Sequence, residues 1–214
     1  MSITTSTGTP SRKLTVSDID DIRAYEPIRG SFRAELIELR RRRRVSVGTL
    51  VSVAFENRQT IRFQVQEMAR AERITSDAGI QEELDTYNPM IPEPGQLRAT
   101  LFVELTSDEA VREWLPKLVG IEQAVVLRLP NGDRVRCTVD PTHTAQLTRQ
   151  HVTAAVHYIG FELTPEQCAA FGEGTVLGID HPRYQEETEL APTTVSELAT
   201  DLRADQARTT VTES

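Results

Sequence analysis

Apolar side chains at Leu97, Ala99, Leu101, Val103 and Leu105 fall on every second residue, the period of a strand with one face on a core. Val47, Val51, Val53 and Phe55 show a strand period too, and residues 152–163 are apolar on both alternating faces, as a central strand requires. Residues 176–179 predict a closing strand. Between residues 125–129 and 134–139, Pro130-Asn131-Gly132-Asp133 predicts a tight hairpin, because Asn-Gly supplies the positive φ angles of such a turn. Helical periods alternate with these strands. Residues 16–25 begin with Ser17 and acids in the first turn, and Ser31 precedes Phe32, Leu36 and Leu39. From Asn57 a helix is expected to run to about Ile74 with Ile61, Val65 and Met68 on its buried side, and residues 81–87 belong to a second. Residues 108–118 are helical in period, and Thr164-Pro165-Glu166-Gln167 reads as a capping box with proline at the first helical position. The order predicts an α+β fold: one domain over residues 14–184, with a largely antiparallel sheet packed by helices.

Both ends read as disordered tails. Residues 1–13 are rich in Ser and Thr, and residues 185–214 are poor in aromatics and rich in Thr, Glu and Asp. Val195, Leu198 and Leu202 have a helical spacing inside the second tail, which suggests at most a transient turn. That tail carries seven acids and two arginines, so the net charge of −8 leaves residues 1–184 at −3. Charge alone therefore gives no case for nucleic-acid binding. Two cysteines, no apolar signal-like segment in residues 1–13 and no apolar run of the ~20 residues that cross a bilayer point to a reduced, cytoplasmic protein with no membrane span.

Candidate chemistry concentrates on the helix after Asn57. At 100° per residue Glu72 falls within the stripe of Ile61, Val65 and Met68, with Gln64 at its edge. A carboxylate facing a core needs an arginine, a histidine, a metal or a proton. A structural ion pair and a ligand site are the two readings. Asn57, Arg58, Gln64, Glu67, Glu72 and Arg73, with Glu83 and Tyr87 from the next helix, form the expected ligand- or partner-binding surface. His157 shares the phase of Ile159, Phe161 and Leu163, and His181 ends the last strand, whereas His143 and His151 lie in a polar connection. His157, His181 and a glutamate could hold a single transition metal, yet no HExxH, ExxH or CxxC spacing occurs. A cofactor-free protein is the expectation, with a metal-dependent oxidoreductase or hydrolase as the alternative. Cys137 and Cys168 have no adjacent base, and G-x-S-x-G, P-loop and G-x-G-x-x-G are absent. The arginines Arg40, Arg41, Arg42, Arg43 and Arg44 could grip nucleic acid phosphates or an acidic partner, which makes a nucleic-acid binder the second alternative, but at a helix end they can instead complement the dipole or pair with Glu35, Glu38 and the acidic tail.

The segments Phe55-Glu56-Asn57-Arg58, 64–68, 70–74 and 79–85, then Tyr87-Asn88-Pro89, Leu118-Val119-Gly120-Ile121-Glu122, His157, Phe161-Glu162-Leu163-Thr164-Pro165 and Asp180-His181-Pro182, resemble the bacterial family called domain of unknown function 3501. The resemblance spans residues 13–184. It implies genes encoded beside rubrerythrin and an iron–sulfur oxidoreductase with cysteine-rich domains, and hence an accessory role in redox stress. The chain lacks the cysteine clusters of those neighbours, so the resemblance does not make it the redox centre itself.

Overall fold

A computed structural model describes residues 12–139 and 152–203; His143 and His151 lie outside them. α1 (Ile22–Arg43) runs without a loop into β1 (Arg44–Val47), and the chain turns back into β2 (Val51–Glu56). There follow α2 (Arg58–Glu72), α3 (Asp77–Tyr87), β3 (Gln96–Val103), α4 (Asp108–Trp114), β4 (Val125–Arg128), β5 (Arg134–Arg136), β6 (Thr138–Val139), β7 (Val156–Glu162), α5 (Pro165–Ala170), β8 (Val176–His181), β9 (Tyr184–Glu189) and α6 (Pro192–Leu202). The fold is α+β and its strand pairs are antiparallel, but there are two sheets, ordered β1-β2-β3-β7-β6 and β5-β4-β8-β9.

Two sheets arise because the arm after the Asn131-Gly132 turn changes allegiance at Cys137. Its first part pairs with β4 and its second with β7. At the opposite side the Tyr184 hydroxyl donates to the Val47 carbonyl at 2.7 Å and Thr188 Oγ1 to the Ser46 carbonyl at 2.8 Å, fastening β9 against β1. Gly48 must be glycine here. It has φ +66, and a Cβ would strike the Tyr184 hydroxyl. The inward side chains of both sheets, among them Val53, Phe55, Leu101, Leu127, Phe161 and Leu177, merge into one core.

The expectation of a tail from residue 185 is corrected: residues 185–202 are part of the fold. β9 is polar because it is an edge strand that buries only Tyr184, and so it mimics a solvated segment. α6 starts with Pro192 in its first turn and inserts Val195, Leu198 and Leu202 into the main core. Each such side chain contributes roughly 1.5–3 kcal/mol.

α1 is one helix rather than two. Asp21 caps it by accepting from the Arg23 and Ala24 amides, while residues 16–18 make only a 3-10 turn. The helix continues through Pro27, and Ser31 bonds back to the Ile28 carbonyl at 2.9 Å instead of capping a new start. Residues 12–21 form a strap across α2 and α3. Asn88 bonds both backbone groups of Leu14 at 2.8 and 3.0 Å, and buried Gln66 does the same for Asp20 at 3.0 and 2.7 Å. Beneath the strap Leu14, Ile61, Val65, Ala69, Ile80 and Leu84 form a second core. No described helix is long and apolar enough to cross a membrane.

Candidate functional site

The five consecutive arginines do five different things, because a helix and then a strand point them in different directions. Arg41 pairs with Glu38 on the surface at 2.9 Å, and Arg42 reaches Glu197 of α6 at 2.7 Å. Arg43 is 1% exposed; it donates to the Phe55 and Glu56 carbonyls at 2.9 and 3.0 Å and pairs with Asp201 and Glu197. Arg44 pairs with Glu104 at 2.7 Å and lies over the Phe102 ring, 4.6 Å from its centroid. Arg40 lies 5.5 Å from the Phe63 centroid and has no carboxylate partner among the described residues.

Arg40 near the end of α1 and Arg44 at the start of β1 line a cleft of about 260 Å³ between α1, α2, α3 and the outer face of the five-stranded sheet. Its floor follows from strand register. Arg44, Ala54, Thr100 and Tyr158 form one cross-strand row, and Phe102 and Val156 pair in the next. These are the residues that alternate with the core positions, so the same periodicity that fills the core also furnishes the cleft. Gln64 of α2 and Tyr87 of α3 supply the opposite wall, with Ile61 and Met90 beside them. Glu56 lies at the base, accepting from Thr100 Oγ1 at 2.8 Å and Thr60 Oγ1 at 2.6 Å. Burial pushes the Tyr158 hydroxyl above its usual range, with Tyr87 and Glu56 adding to the effect, so it is held as a neutral donor. The Gln64 amide, the Tyr87 hydroxyl and the Arg40 guanidinium hydrogen-bond no other described residue.

Of the residues expected to form the working surface, Gln64 and Tyr87 meet in this cleft, whereas Asn57, Arg58 and Glu67 hold the fold together. Asn57 caps α2 by accepting from the Gln59 and Thr60 amides. Arg58 ties down the strap, donating to the Arg12 carbonyl at 3.1 Å and pairing with Asp18 at 2.6 Å. Glu67 accepts the Tyr25 hydroxyl at 2.8 Å and both donors of an Arg29 fork at 2.8 Å, which hold its carboxyl down at about 2.

The placement of Glu72 in the core stripe is corrected: it is exposed. α2 stops at Glu72, Arg73 takes a left-handed φ of +57, and the Ile74 amide turns back to the Ala69 carbonyl at 2.8 Å. The stripe thus ends at Ala69 and Glu72 lies past it. Burial first, then the negative charges of Glu72 and Glu82, raise the Glu83 carboxyl. Arg73 lines a longer groove of about 960 Å³ between the strap and the facing ends of α2 and α3. There Arg70 is paired with Glu26 at 3.1 Å and Asp21 is engaged as a cap.

His157 and His181 are both buried, and each has a protein partner. His157 Nε2 lies 2.9 Å from Thr153 Oγ1 and from the Ala154 carbonyl, and burial lowers its pKa against the pull of Glu122. His181 Nε2 lies 3.1 Å from the Val119 carbonyl, and its Nδ1 accepts the Arg183 amide at 3.2 Å. Among the described residues no three His, Cys, Asp or Glu side chains converge as a metal site. Burial raises the Cys137 thiol to about 11 and raises Cys168 as well, so neither is an activated nucleophile. Glu122, 2% exposed, has an Oε2 without a hydrogen-bond partner.

Sequence reasoning misses Arg40, Arg44, Glu56, Phe102 and Tyr158 as parts of one site. The signal available for them is the i, i+4 spacing of the arginines and the off-core phase of the three strands.

No curated protein matches the chain. A crystal structure from Burkholderia pseudomallei K96243, described as a novel protein of unknown function, is 35% identical; the match covers 92% of this chain and all of that one, with a TM-score of 0.78. The family profile described as Protein of unknown function (DUF3501) matches residues 13–202, from the strap to the end of α6. The chain therefore belongs to that family.

Proposed function

We propose that this protein acts by binding, as a cytoplasmic accessory protein whose working site is the cleft between α1, α2, α3 and the outer face of the larger sheet. The observation that carries this reading is the convergence of Arg40, Gln64 and Tyr87 on one concavity with polar groups that hydrogen-bond no described residue. Nearby polar groups of the same kinds, in Asn57, Arg58, Gln66 and Glu67, are committed to caps, the strap and an ion pair. Donors and acceptors that line a cleft and bond no described residue are available to a ligand. The rubrerythrin and iron–sulfur oxidoreductase suggested by the family resemblance are the partners to test first.

The test is to tag the chain at its N-terminus, express it from its own locus under peroxide stress, and compare the wild type with a Gln64→Ala/Tyr87→Phe variant. A partner recovered in stoichiometric amount with the wild type and lost with the variant supports the reading. Equal recovery from both removes the cleft as the working site.

A further inference from the structure

Resting on the reading of the cleft as the working site, we infer that its ligand is a nucleoside monophosphate with an N–H-bearing base edge, guanine above all. The chemistry of the walls is polarised. At one end stand Arg40 and Arg44, on either side of the α1–β1 junction, the first without a carboxylate partner among the described residues and the second shared with the exposed Glu104. Guanidinium groups so placed suit a phosphate, whose oxygens accept paired N–H donors and would displace Glu104 from Arg44. At the other end Glu56 offers only acceptors. Each of its oxygens already takes one threonine hydroxyl, which fixes the carboxylate in place and leaves further lone pairs. Two adjacent N–H groups on a planar ring, as on the guanine edge, match that carboxylate. The rings of Tyr87 and Tyr158 also line the cleft, surfaces against which a base stacks, while Phe102 lies under Arg44 at the cationic end. The charged side chains lining the cleft are thus two cations at one end and Glu56 at the other; Glu104 stands at the rim, and Arg98, beside Glu56 in the sheet, is paired with Glu162. A simple anion leaves the acidic end unused, and a cation meets the arginines. About 260 Å³ is below the ~300–1,000 Å³ of most ligand sites, so the cleft takes at most one nucleotide, partly exposed, and not a polymer.

Isothermal titration calorimetry of the full-length protein with GMP, guanosine and inorganic phosphate tests this. GMP is expected to bind one to one, with guanosine and phosphate each at least tenfold weaker. An Arg40→Gln/Arg44→Gln variant with an unchanged thermal midpoint is expected to bind GMP at least tenfold more weakly, as loss of charge-assisted hydrogen bonds requires. Tyr87→Phe, which keeps the ring, retains most of the affinity. Phosphate binding as tightly as GMP overturns the inference, and so does the absence of GMP binding at millimolar concentration. If GMP fails while the Gln64→Ala/Tyr87→Phe variant still loses its co-purifying partner, the nucleotide is wrong and the binding site stands; if both fail, the site falls too.

Discussion

Replacing Arg43 by methionine tests how α6 is fastened to the rest of the fold. The guanidinium is 1% exposed and engages two backbone carbonyls of the β2 end, Asp201 and Glu197. Burial raises the Asp201 carboxyl more than Arg43 lowers it, so this acid tolerates its site only because the arginine is there. Removing one partner of such a buried pair costs roughly 3–5 kcal/mol, since the other charge and the orphaned carbonyls stay behind. Val195, Leu198 and Leu202 together contribute about 5–9 kcal/mol of apolar burial, so the helix stays docked while the protein weakens. At ~2–4 °C per kcal/mol for a chain of this size, the thermal midpoint should fall by about 6–20 °C. Arg43→Met/Asp201→Leu removes both charges and should recover most of that loss in the same calorimetric scan, leaving only the unmet carbonyls. A single variant within 1 kcal/mol of wild type, or a double variant no better than the single, would refute the reasoning.

Three further outcomes follow from the described side chains. Glu67 is held ionised by the Arg29 fork, so its stabilisation is complete above the ordinary 4.5 and lost as pH falls toward about 2. Glu67→Gln should cost roughly 2–3 kcal/mol at pH 7, and the gap in urea midpoints should narrow between pH 4.5 and 3. A pH-independent gap contradicts the ion pair. His157 is held neutral by burial, so its contribution is present above 6.5 and declines as the solution is acidified below that value. Wild-type stability should drop between pH 7 and 5 more steeply than that of His157→Gln, and identical slopes would show that another group dominates. Arg73→Gly should raise the urea midpoint, relieving about 1 kcal/mol of left-handed strain at φ +57; a loss of stability would mean that the arginine side chain has a structural partner.

Helix starts marked by short polar caps are legible because capping is local chemistry: Asn57 and Thr164 with Gln167 stand where the sequence puts them. The hairpin at Asn131-Gly132 is in its expected place too, but only Gly132 takes a positive φ; Asn131 does not. What was not legible depends on distant partners. Arg43 continues the buried phase of Leu36 and Leu39, but a charged residue in that phase reads as solvent-facing until Asp201 and the β2 carbonyls are known to surround it. β9 and α6 were hidden by acids on their exposed faces, although Val195, Leu198 and Leu202 already carried the helical spacing. Glu72 was misplaced because a periodic stripe does not announce where the backbone leaves the helix; the left-handed Arg73 decides that. The cleft was half visible. Gln64 and Tyr87 are recognisable on their helices, whereas Arg44, Thr100 and Tyr158 become neighbours only through the register of β1, β2, β3 and β7.

The contact between α6 and the start of the fold also sets a timetable. Arg43 and Asp201 are 158 residues apart in the chain, and the Gly95 amide waits for the Leu202 carbonyl at 3.0 Å. During synthesis, at ~5–20 residues per second, the β1 end is made many seconds before the helix that neutralises and covers it. Throughout that interval Arg43 and the apolar floor for Leu198 face solvent. A message truncated before Pro192 is therefore expected to yield a product less soluble than the full chain, because Arg43 and the floor for Leu198 would stay uncovered.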